Sequence, residues 1–211
     1  MRRVALPAGG AVLVLAWGGP FSLLFGTGFT GGMAVHMAVV AIAAPLLAVG
    51  LAGGRLDPLA RHCWIGPIGA SLVEFAVVWG WHLPTPHDAA RGGGLPLVLE
   101  QASFLLSGLL LWLAALRPGQ GPAGIVALLL TSMHMTLLGV LLTLAPRPLY
   151  DHAGHAAPHG LSAMEDQALG GVVMLLVGGA AYLAGGLALA ARLLGPDPDS
   201  AGQPAQGKDA A

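Results

Sequence analysis

Residues 33–52 read MAVHMAVVAIAAPLLAVGLA, twenty positions with no Asp, Glu, Lys or Arg and a single histidine. At 1.5 Å rise per residue the run is about 30 Å long as a helix, the thickness of a bilayer's hydrocarbon core. It therefore reads as a membrane span. Pro45 does not argue against this, because neighbouring helices can satisfy the backbone groups that a proline frees.

Working outward, five more apolar stretches of spanning length flank it, at about 4–25, 64–83, 95–116, 122–145 and 169–194. The chain has 211 residues, 55% hydrophobic and 9% charged, with mean hydropathy +0.76; a soluble domain carries about 25% charged residues. The expected fold is all-α, a polytopic transmembrane bundle of about six helices over residues 1–194, followed by a polar, Pro/Gly-rich tail at 195–211 with the composition of a disordered segment. The first run follows Arg2 and Arg3, as in a signal peptide. No A-x-A-like site follows it, and we read it as a retained helix.

Charge sets the expected orientation. With the N-terminus inside, Arg2, Arg3, Arg55, Arg61, Arg117, Arg192 and Lys208 face the cytoplasm, and only Arg91 and Arg147 face out. His36, His82, His87, His152, His155 and His159 then share the outer side. The nine basic residues are scattered and net charge is −1, so no surface collects a polyanion and nucleic acid is excluded as a partner. Membrane lipid is the expected surrounding. A lone cysteine, Cys63, rules out an intrachain disulfide or a CxxC motif.

Ionisable residues deep in a span are expensive and point to function. Glu74 and His134 are each central in their runs. They are read as a hydrogen-bonded pair fixing helix register, as a neutral Glu74 bonded to a backbone carbonyl, or as a proton relay or metal ligands. On a helix, Met33, His36 and Met37 fall at i, i+3 and i+4, so thioether and imidazole can point at one spot. That donor set suits copper, particularly Cu(I). The motif WGWHLP, 79–84, sets His82 at the same outer level as His36. Asp166 and Glu100 are expected to orient the imidazoles or, for Asp166, to complement the dipole of the last helix. The loop containing His152, His155 and His159 carries Gly154 and Pro158, which break a helix, and reads as a solvated segment collecting metal weakly.

Several motifs in order, HMAVVAIAAPLLAVG, WGWHLP, LEQASFLLSGLLLW, MTLLGVLLTLAPRPLY and DQALGGVVM, resemble the bacterial caa3-type cytochrome c oxidase assembly factor family over about residues 31–183. The resemblance implies a multi-pass protein of the bacterial plasma membrane, for which the charge bias and six helices above set the expectation that both termini are cytoplasmic. It also implies an accessory role with cytochrome c oxidase subunits as partners, through the handling of a copper ion at the outer face. It picks out His36, His82, Pro84, Tyr150, Asp166 and Gln167. Family members commonly carry histidine where this chain has Gly32 and Gln101, and tryptophan where it has Leu175; they often have seven helices. The alternatives are a proton-coupled transporter using Glu74 and His134, and a metal-free membrane scaffold. Nothing in the sequence points to an enzyme, since it has no nucleophile paired with a base, no phosphate-binding glycine loop and no zinc protease motif.

Overall fold

The computed structural model describes residues 2–59, 65–150 and 160–195, and all regular structure among them is helical. Eight helices follow in order: α1 Arg2–Trp17, α2 Pro20–Phe25, α3 Phe29–Leu51, α4 Pro67–Trp81, α5 Pro84–Arg91, α6 Gly94–Ala115, α7 Gly121–Thr143 and α8 Ala163–Leu194. Of these, α3, α6, α7 and α8 are long and apolar enough to cross a membrane, while α1 and α4 are shorter apolar helices. About six helices thus build the bundle, as expected. His62 and Cys63, the histidine loop at 151–159 and the tail at 196–211 lie outside the described residues.

The first apolar run is not one helix. Gly18, Gly19 and Pro20 divide it, with Gly19 at φ 101°, a conformation costly for any side chain, and Pro20 opening α2 at a position where its missing N–H is not needed. The segment after WGWH is likewise helical rather than loop. Pro84 starts α5, which carries His87 in its interior.

Helix α3 is central, packing against α1, α6 and α8, while α4 packs on α6 and α7, and α7 on α8. Small residues make this possible. Ala38, Ala41, Ala43, Ala44 and Ala48 of α3 are all buried, and a Cβ on Gly108 of α6 would lie 3.2 Å from that of Ala44. Between α7 and α8, a Cβ on Gly139 would stand 2.8 Å from the Gly171 carbonyl, and one on Gly171 2.7 Å from the Gly139 carbonyl. Backbones this close gain dispersion contact that apolar lipid cannot outcompete. Interhelical hydrogen bonds reinforce them: Ser132 Oγ donates to the Gly179 carbonyl at 2.9 Å, and the Ser71 and Thr131 hydroxyls meet at 2.8 Å between α4 and α7.

Two helices contain π-helical turns, Ala38–Ala43 in α3 and Met174–Gly178 in α8. In α3 the turn runs up to Pro45, which has no N–H for an ordinary i→i−4 bond, and the wider turn absorbs that loss.

Candidate functional site

Three donors meet where α3 begins and α4 ends. Met33 and His36 share a face of α3, and His82 caps the C-terminus of α4. All three are buried, with His36 1% exposed. The two imidazole centroids are 5.4 Å apart, and His82 Nε2 lies 3.4 Å from Met33 Sδ. His82 Nδ1 is 2.6 Å from the Val78 carbonyl, which can only accept. Nδ1 therefore carries the ring hydrogen, and Nε2 presents a lone pair to the sulfur. This is the orienting bond that a ligating imidazole needs, supplied by backbone one turn earlier.

His36 is less satisfied. Neither ring nitrogen has a hydrogen-bond partner, although both are buried, and the ring packs 4.0 Å from that of Phe104 on α6. Orphaned buried nitrogens are uncommon in native structures and call for an explanation. Among the described residues no three His, Cys, Asp or Glu side chains converge in a metal-sized group. The cluster reaches three donors only with the Met33 thioether, and this combination favours a soft ion such as Cu(I).

The scaffold round the cluster uses residues singled out from the sequence, in other ways than expected. Among the described residues Asp166 contacts no imidazole, and it does not cap its own helix. Its carboxylate accepts from the backbone N–H of Phe29 at 2.6 Å and of Thr30 at 3.1 Å, while Thr30 Oγ1 donates to its carbonyl. It thus caps α3 from α8, because the N-cap position of α3 is Gly28, which has no side chain to do so. The cap of α8 is a reciprocal box between Ser162 and Glu165. Gln167 accepts from Leu149 N at 2.7 Å and donates to the Leu142 carbonyl at 3.2 Å, closing the exit from α7.

Glu100 likewise binds no imidazole among the described residues. Arg91 Nη2 donates to it at 2.5 Å and Gln101 Nε2 at 3.1 Å, and Trp17 Nε1 in turn donates to Gln101 Oε1 at 2.9 Å. A Cβ on Gly32 would lie 2.9 Å from Arg91 Nη1. A guanidinium–carboxylate–amide network therefore includes Gln101 and fills the space beside Gly32, the two positions noted above as departures from the family resemblance. Beside it, a cavity of ≈ 710 Å³ is lined by Trp17, Gly32, Val35, Arg91, Leu97 and Gln101 among others.

Met37 and His134 are not brought to the cluster. Met37 Sδ packs where α8 leaves room at Gly178, beside Met135. His134 sets its ring edge-on to Phe75, with centroids 5.3 Å apart, and both its nitrogens are buried without a partner. Glu74 pairs with Tyr182 instead, so the expected Glu74–His134 hydrogen bond does not form.

Two contributors escaped a reading of residue types. Phe104 sits in an apolar run with no polar signal. Tyr150, which the resemblance picked out without a role, donates its hydroxyl to the His82 carbonyl at 2.9 Å, stacks on Phe29 with centroids 4.7 Å apart and packs at a tilt against His87 at 4.2 Å. Burial, and then the nearby Asp88 carboxylate, hold its phenol above the usual range, so it stays a donor.

Bundle and cluster together define a polytopic helical membrane protein with a buried imidazole–thioether group at one end. Within that class its place is specific: the family described as cytochrome c oxidase caa3 assembly factor matches residues 1–195, and the chain belongs to it. No curated protein and no solved structure matches the chain.

Proposed function

We propose that this assembly factor serves cytochrome c oxidase by holding a copper ion, as Cu(I), between His36, His82 and Met33 and passing it on at the outer face of the bacterial plasma membrane. Copper here is cargo. The observation that carries the reading is the pair of buried His36 nitrogens without partners, next to a His82 lone pair already aimed at a thioether. Two imidazoles and one sulfur satisfy Cu(I) without closing its shell, which suits a carrier that must release the ion to an oxidase subunit. The charge asymmetry of Lys and Arg supports placing the cluster outside. The protein performs no turnover in this reading.

The test is metal analysis of detergent-purified protein loaded with Cu(I), wild type beside a His36→Ala/His82→Ala double variant. Bound copper is expected in the first and lost in the second. Equal copper in both, or none in the wild type, would remove the reading.

A further inference from the structure

Glu74 of α4 is wholly buried, and one of its oxygens faces the Tyr182 hydroxyl of α8. The same hydroxyl stands 3.3 Å from the Val40 carbonyl of α3. A phenol has one hydrogen, and a peptide carbonyl has none to give. If that hydrogen goes to a carboxylate, the Val40 carbonyl faces an oxygen lone pair. If it goes to Val40, the hydrogen between Glu74 and Tyr182 has to come from the carboxyl group. Only the second arrangement bonds every atom in the chain.

The other carboxyl oxygen points the same way. Glu74 Oε2 is buried with no hydrogen-bond partner. As part of an anion it would leave charge unsolvated, whereas the carbonyl oxygen of a neutral acid loses far less by going unpaired. No cation offsets it: among the described residues the one ion pair is Arg91 with Glu100. From α6 the neighbour is Gly108, whose Cβ position is 3.6 Å from Oε1. From α7 the nearby imidazole, His134, turns to Phe75.

We propose that Glu74 is a proton-binding site, holding its proton as a carboxylic acid that donates to Tyr182, which in turn donates to Val40. Val40 lies within the π-helical turn of α3, and Tyr182 follows that of α8. The bound proton thus clamps three helices, two of them at or just beyond a π-helical turn where regular bonding is broken. This site is independent of any metal at His36.

The chain has three glutamates, Glu74, Glu100 and Glu165, which permits a direct reading. The full chain, labelled with ¹³C at the glutamate carboxyl carbons and held in lipid, is observed by NMR at neutral pH. One signal at the shift of a protonated acid is expected, absent in Glu74→Gln and displaced in Tyr182→Phe, where the acceptor oxygen is gone. Three carboxylate signals in the wild type would overturn the proposal, as would a protonated signal that survives Glu74→Gln. Should Glu74→Gln fail to fold, Tyr182→Phe decides alone: a protonated signal left unmoved means that its carboxyl does not donate to Tyr182.

Discussion

Nε2 of His82 and Sδ of Met33 stand 3.4 Å apart with a lone pair on each and no hydrogen available to lie between them, since the ring hydrogen is committed to Val78. Two acceptors face to face gain nothing from one another. The arrangement becomes favourable once an electron-pair acceptor sits between them, and a soft cation is the natural one. Met33→Leu keeps the bulk and removes the sulfur. We expect it to weaken Cu(I) binding by at least about tenfold, the scale on which even indirect partners of a metal ligand act, with the fold intact. Competition against a Cu(I) chelator measures this, and unchanged affinity would exclude the thioether as a donor.

Tyr150→Phe tests how the cluster's edge of the bundle is held. The variant keeps the ring contacts with Phe29 and His87 but leaves the buried His82 carbonyl without its donor. A loss of about 1–3 kcal/mol is the usual scale for an orphaned buried acceptor. The unfolding temperature in detergent should fall, and copper affinity with it, because the carbonyl belongs to His82, a ligand in the proposed copper site. A drop in stability with copper binding unchanged would show that Tyr150 braces the loop alone.

Asp166→Ala should act on α3 although the residue lies on α8. Two N–H groups at the start of α3 lose their acceptor, and the helix dipole loses its countercharge. Cap removal costs about 0.5–2 kcal/mol. Asp166→Asn should recover part of this, since one amide oxygen still accepts while the charge is gone. Hydrogen exchange resolved along the chain should show faster exchange at the first turn of α3. Loss confined to α8 would contradict the cap.

The spans were legible because twenty apolar residues in a row leave the backbone one common solution. Boundaries that depend on a single residue's geometry were less so. Gly19 and Pro20 break the first run, Gly19 by its φ of 101° and Pro20 by opening a new helix, yet Pro7 in α1, Pro45 in α3 and Gly139 in α7 lie inside continuous helices. At the cluster, the i, i+3 spacing of Met33 and His36 and the level of His82 were enough to bring the three together. The fates of Met37 and Asp166 were not readable, since they follow from contacts more than a hundred residues away in sequence: the room at Gly178 for one sulfur, the uncapped N–H groups of Phe29 and Thr30 for one carboxylate. Residue type announces that a polar group must find a partner, but the partner is chosen by how the helices pack.

Arg91 and Glu100 give the case where the pair, rather than either residue, is what the bundle needs. Their side chains are 20% and 4% exposed, so removing one leaves the other's charge poorly solvated. Breaking a buried pair is strongly destabilising, whereas replacing both members by neutral side chains of similar size is often tolerated. Arg91→Met and Glu100→Gln should each lower the unfolding temperature, and the double variant should fall by less than their sum, with a coupling of about 0.5–3 kcal/mol. The same network fills the space beside Gly32, so a second effect follows. With the guanidinium gone, Gly32→His in the Arg91→Met background gains room next to His36, and we expect tighter Cu(I) binding than in Arg91→Met alone. Strict additivity of the two single losses, together with no gain from the added imidazole, would mean that Arg91 and Glu100 act separately and that the space beside Gly32 does not open onto the donor cluster.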